Sequence, residues 1–96
     1  MEQLPESFDE LCDALAALST RDDTAAFLRD ACTISELEAL SHRLAVARLL
    51  DAGGMTYLEI ARAVGTSTTT VTRVAHWLRH GTGGYRIALD LLGERA

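Results

Sequence analysis

Between Thr66 and Thr72 the 96-residue chain places five threonines and one serine in seven positions: Thr66, Ser67, Thr68, Thr69, Thr70 and Thr72. Threonine is a middling helix former, because its β-branch loses rotamer freedom against the preceding turn, so helix propensity does not explain the cluster. Hydroxyls donate to phosphate oxygens or to base edges, and threonine methyls pack on thymine methyls. A helix N-terminus adds free amides and a partial positive charge suited to phosphate. Arg62, Arg73 and Arg79 supply cations nearby in sequence. The segment is thus equipped to recognise a polyanion and its groove. The plain structural reading of the same residues is a cap at Thr66 or Ser67 and solvated surface arginines.

Other chemistries find less support. No serine, cysteine or carboxylate has a partner at a spacing that suggests an activated nucleophile, so no enzyme activity is expected. His76 and His80 stand four apart and share a helix face, as paired metal ligands do. No HExxH is present and spacing suggests no third ligand, so neither a metal nor a cofactor is assigned. Gly81-Thr82-Gly83-Gly84 follows no apparent strand and lacks GK[ST], which excludes a phosphate loop. Cys12 and Cys32 lie far apart without ligand spacing and among apolar neighbours, and are read as two buried reduced thiols.

Six helical segments must position the hydroxyl cluster, with no convincing strand. Ser7 with Glu10 spells a capping box ahead of Phe8, Leu11, Cys12, Leu15 and Leu18, giving a helix over about 8–18. A polar break at Ser19-Thr20 precedes a second over about 22–31. Thr33 with Glu36 opens the longest, with Leu37, Leu40, Leu44, Ala47 and Leu50 along one side and a stop at Gly53-Gly54. Thr56 with Glu59 opens a short fourth helix that breaks at Gly65. A fifth runs from the hydroxyl cluster to about Arg79, and a last one spans about 85–93 beyond the glycine hinge. Ala61 falls where the fourth and fifth helices must approach, Gly65 at the turn, and Val71 where the fifth packs back. Leu58, Ile60, Val64 and Val74 are expected to complete a small core. This is the spacing of a helix-turn-helix, whose second helix enters the major groove of DNA.

Hydrophobic residues make up 48% and charged residues 24% of the chain, a globular balance that excludes disorder. The net charge of −5 is uneven. Residues 1–42 carry two Arg against ten acids, and residues 43–80 carry five Arg against two. An acidic front is joined to a basic back half that contains the hydroxyl cluster. No apolar run reaches the roughly 20 residues needed to cross a bilayer, and the acidic opening MEQLPESFDE is unlike a signal peptide, so no membrane partner and a cytoplasmic location are expected. The first two helices and the last are short, and segments 8–18 and 34–52 carry wide apolar faces that the 56–79 unit can cover only in part, which points to an obligate dimer with a shared core.

From about Thr33 to Arg79, without gaps, the chain resembles the Trp repressor superfamily. The marks are SELEALSHRLAVARLL, the Gly-Met-Thr entry to the first motif helix, and Thr-x-Thr-Arg in the second; the tail Gly-Thr-Gly-Gly-Tyr-Arg is similar to the YerC/YecD branch. The resemblance implies an all-α, six-helix domain over 1–96 that forms an intertwined homodimer. Within it, 1–54 and 81–96 make a dimerisation core and 55–80 a helix-turn-helix head. It implies base-reading positions at Thr68, Thr69 and Thr72, with Ser67, Thr70 and Arg73 nearer phosphates or the inter-helix pocket. Leu58 and Ala61 replace polar contact positions, which implies a different and less sequence-specific site. A corepressor pocket would involve Thr33 near the ligand carboxylate, with Arg43 and Arg73 on either side of its ring. Val74 and Trp77 stand where the family has a glycine and a serine. Both fill space, which argues against free L-tryptophan as effector; Trp77 either occludes the pocket or packs in the core.

The expectation is a sequence-specific transcriptional regulator, read as a repressor, with double-stranded DNA and a second copy of itself as partners. A helix-turn-helix-derived interaction or dimerisation module without DNA binding is the alternative, which the pI near 5.0 keeps open.

Overall fold

The computed structural model describes residues 3–95. Six helices, with no strand among the described residues, follow in the order α1 (Phe8–Ala17), α2 (Arg21–Ala31), α3 (Ile34–Ala52), α4 (Tyr57–Val64), α5 (Thr68–His80) and α6 (Gly84–Arg95). The chain divides into two compact units between Leu37 and Glu38, within α3. No helix among the described residues is long and apolar enough to cross a membrane.

The first unit holds α1, α2 and the opening of α3. The capping box expected from Ser7 and Glu10 does not form. Ser7 lies in the right-handed helical region, at φ −73° and ψ −5°, and makes no side-chain cap bond. An N-cap hydroxyl reaches the third amide from an extended backbone, and here the chain turns earlier, with Phe8 donating to the Pro5 carbonyl at 3.0 Å. Thr20 does cap α2: it is extended and accepts from the Asp23 amide at 3.1 Å, a Thr-x-x-Asp signal inside what reads as a plain polar break. Thr33 and Glu36 form the expected reciprocal box. The Thr33 amide donates to Glu36 Oε1 at 2.8 Å and the Glu36 amide to Thr33 Oγ1 at 3.1 Å. These bonds hold the Glu36 carboxyl below its ordinary pKa.

Neither α1 nor α2 has a buried residue. Phe8, Leu11 and Leu15 form an apolar edge of α1 whose members are 37%, 42% and 40% exposed. The cysteines are therefore not buried as expected. Cys12 is exposed on α1 and Cys32, at the end of α2, is half-buried, both as free thiols. Apolar neighbours along one helix do not bury a side chain; a facing surface does.

The second unit has a core of Val46 and Ala47 from α3, Ile60 and Ala61 from α4, Val71 and Val74 from α5, and Leu89 from α6. Leu44, Leu49, Leu50, Met55, Val64, Leu78 and Tyr85 pack around it. Leu58, expected in this core, is 51% exposed. It precedes Ile60 by two residues, about 200° around a helix, so the two cannot share a face. Removing a fully buried aliphatic side chain costs about 2–5 kcal/mol, a large share of a small unit's stability. On α3, Val46 and Ala47 are buried while Ile34 is 73% and Leu40 48% exposed. Its apolar residues circle the helix more widely than the single expected stripe.

The last helix is anchored by charge as well as by Leu89. The Arg86 guanidinium donates to both Asp51 oxygens, at 2.7 and 3.1 Å, tying α6 to the end of α3. Its Nε donates to Asp90 Oδ1 at 3.0 Å within α6. The fork holds the Asp51 carboxyl below its ordinary value of 3.8 and the Arg86 guanidinium above its own. A depressed carboxylate pKa adds stability that is complete above the unfolded value and is lost as pH falls through the folded one. Thermal melts are thus expected to show Asp51→Asn less stable than the parent at neutral pH. The gap should begin to narrow as pH falls below about 4, the unfolded value, and close at lower pH as the folded parent's own carboxylate is protonated. A gap that does not narrow at all on acidification would show that Asp51 acts through packing and not charge.

Candidate nucleic-acid interface

The hydroxyl cluster is positioned by a turn that the sequence builds locally. Thr56 and Glu59 form a complete capping box that opens α4, with bonds of 2.8 and 3.1 Å. Gly65 closes α4 in the left-handed region, at φ 83° and ψ 39°. Its amide and that of Thr66 both donate to the Ala61 carbonyl, at 2.9 and 3.0 Å. Of the two expected caps of α5, Ser67 serves. It is extended, at φ −90° and ψ 157°, and its Oγ accepts from the Thr70 amide at 3.1 Å.

Burial then divides α5 lengthwise. Val71, Val74 and Ala75 are buried and Leu78 half-buried, while Thr68, Thr69, Thr72, Arg73, His76, Trp77, Arg79 and His80 are exposed. The hydroxyls are not equivalent. Thr70 is half-buried, and its Oγ1 lies 3.1 Å from Ser67 Oγ, so both belong to the cap. Thr72 Oγ1 donates to the Thr68 carbonyl at 3.0 Å. The Thr68 and Thr69 side chains have no hydrogen-bond partner among the described residues, and their amides, in the first turn, have no intrahelical acceptor. Arg62, Arg73 and Arg79 pair with no acid among the described residues. The exposed face thus combines free amides, free hydroxyls and free cations.

A groove of about 600 Å³ in this unit is lined by Leu40, Arg43 and Leu44 of α3, Trp77 of α5, and Tyr85 and Ala88 of α6, with Gly81, Thr82 and Gly84 between. The Arg43 Nε donates to the Ala39 carbonyl at 3.3 Å, along its own helix. Trp77 is 57% exposed, which removes the option that it packs in the core. Gly81 is required beside it, since a Cβ there would stand 2.5 Å from the Trp77 carbonyl oxygen. Of the five residues expected at a ligand pocket, Arg43 and Trp77 line this groove. Val74 sits in the core, Arg73 is exposed on α5, and the Thr33 hydroxyl caps α3. Tyr85 and Ala88 were not foreseen there. Their only sequence signal is an aromatic residue directly after the glycine hinge.

A short first helix, a left-handed glycine turn and a second helix with one face buried and one face polar define a helix-turn-helix protein. The wider comparison gives the family. The chain belongs to the Trp repressor family, whose model, Trp repressor protein, matches residues 6–92. The uncharacterised protein YerC of Bacillus subtilis is 37% identical over 89 residues, which cover 93% of this chain and 85% of YerC. A solved structure of a candidate Trp repressor from Staphylococcus aureus superposes with a TM-score of 0.85 at 37% identity, over 94% of this chain and 89% of that one. A TrpR-like protein from Eubacterium eligens gives the same TM-score, 0.85, and the same identity, 37%, over 93% and 91%. The expected all-α, Trp-repressor-like architecture is the one observed.

The left-handed backbone at Gly65 makes a specific demand. A side chain there meets no neighbour within 4 Å, so the cost of Gly65→Ala is conformational. It should lower stability by about 1–2 kcal/mol, read as a lower midpoint in denaturant titration, with an unchanged slope.

Proposed function

We propose that this protein is a DNA-binding transcriptional regulator that acts as a homodimer, with α5 as its recognition helix. One observation carries the reading: the N-terminal half of α5 exposes Thr68, Thr69 and Thr72 with Arg73, on a helix whose other face is locked to α4. Thr68, Thr69 and Thr72 face base edges. The free first-turn amides, Ser67 and Arg73 serve phosphates, and Thr70 acts chiefly through the cap it shares with Ser67. Repression is the sign of regulation that the family membership favours. Trp77 brings an indole of its own to the groove beside Arg43, and Thr33, Arg73 and Val74 do not line it, which supports heads that are set without free L-tryptophan.

The acidic front would seem to oppose DNA binding, but the opposition is regional. Ten of the fourteen acids lie in residues 1–42, and the helix-turn-helix stretch 55–80 contains one acid, Glu59, which is tied into the α4 cap. Counterion release depends on the cations at the contact, not on the protein's net charge.

Thr69→Asp, which sets a carboxylate against the phosphate lattice, is expected to abolish binding in a gel-shift titration with no change in the circular dichroism or melting of the protein. Selection from random duplexes should return a palindrome with half-sites about one helical turn, ~34 Å, apart. The affinity for it should fall steeply with salt. Absence of any binding at low salt would favour the interaction-module reading instead.

Dimerisation is supported by the apolar surface left open on one chain. Phe8, Leu11 and Leu15 of α1, Leu40 of α3 and Ile87 and Leu91 of α6 are each more than a third exposed. Scattered apolar residues are ordinary on a surface, but a helix of this length without one buried residue needs a facing partner. Sedimentation at micromolar concentration is expected to give twice the 10.4 kDa chain mass. A folded monomer at that concentration would exclude the shared core.

A further inference from the structure

The imidazole pair on α5 is left unused by DNA recognition at the helix N-terminus. We propose that His76 and His80 form a two-point site for a divalent transition-metal ion of the nickel and zinc class. Both side chains are exposed, and neither has a hydrogen bond or ion pair among the described residues. Their ring centroids stand 5.1 Å apart, with the ring planes tilted by 48°. The separation is compatible with shared coordination. Two imidazoles bound through ring nitrogens at the usual 2.0–2.1 Å, with a tetrahedral angle at the ion, place their centroids roughly 5.2 Å apart. The two rings already stand at that separation, and the i, i+4 register of a capped helix maintains it without ordering any loop.

The donor set selects the ion. Neutral imidazole suits zinc, nickel and copper, and a site with no carboxylate offers little to magnesium or calcium. Among the described residues no three His, Cys, Asp or Glu stand together, so water fills the remaining positions and the site stays open on one side. His76 and His80 also extend the line of Thr68 and Thr72 in steps of four, so a bound ion would add two positive charges to the exposed face of α5.

The inference stands apart from DNA binding and is read directly. Trp77 is the chain's one tryptophan, and its ring lies edge-on to His76 with centroids 4.9 Å apart. Nickel, being paramagnetic, is expected to quench its emission saturably in the full-length protein, at one ion per chain. Manganese should need a higher concentration and magnesium should have no effect. His80→Ala, which leaves the ring beside Trp77 in place, is expected to raise the nickel midpoint at least about tenfold. His42→Ala on α3 should leave it unchanged. Zinc calorimetry on the same variants gives a readout independent of fluorescence and should show the same order. Titrations of His80→Ala that overlay those of the parent, or no saturable effect of nickel, would overturn the proposal.

Discussion

The close seating of α5 on α4 is the constraint from which the rest follows. Ala61 is 4% exposed at the crossing and Val71 wholly enclosed, and the pair is joined by a turn only three residues long, Gly65 to Ser67. A larger residue at Ala61 would part the helices, and a Cβ at Gly65 would oppose the backbone that folds one helix back on the other. With that contact made, Val71 and Val74 necessarily point inward. The helical period then turns Thr68, Thr69, Thr72 and Arg73 outward. The exposed chemistry is a consequence of the buried geometry.

The second unit builds outward from that contact through α3 and α6. Val46 and Ala47 supply the floor on which the helix pair rests, and Leu89 closes the side. The Arg86 fork then fastens α6 to the end of α3, whereas Gly81 lets the chain leave α5 hard against the Trp77 carbonyl. Each wall of the Arg43–Trp77 groove is therefore set by a different device: a core helix, a salt bridge and a close glycine contact. The electrostatics follow the same partition, with free arginines around the helix-turn-helix and the bulk of the acids in the first 42 residues.

Features that depend on a few neighbouring residues were legible in the sequence. The boxes at Thr33–Glu36 and Thr56–Glu59, the left-handed Gly65 and the inward set Ile60, Ala61, Val71 and Val74 all rest on local spacing. Spacing failed where it had to stand in for backbone or for surroundings. Ser7–Glu10 spells the same box, but the turn after Pro5 leaves Ser7 helical, and the bond cannot form. Leu58 looks like core by hydropathy and lies outside it by phase. Cys12 has the apolar neighbours of a buried residue but no layer above it. Trp77 was legible as a space-filling substitution, while its place in an open groove depends on α3, which lies far from it in sequence, and on how the glycine hinge sets α6.

The inward-turned proton of Thr72 gives this surface a polarity that residue type alone does not convey. Because that hydrogen is committed to the carbonyl one turn back, the oxygen presents only lone pairs outward. On the floor of a wide groove such an atom is matched by an exocyclic amino group, which adenine and cytosine display there and guanine and thymine do not. Thr68 and Thr69, whose hydrogens still rotate freely, carry no such preference. Three like side chains are thus unequal in what they offer: Thr72 only accepts, whereas Thr68 and Thr69 can donate or accept.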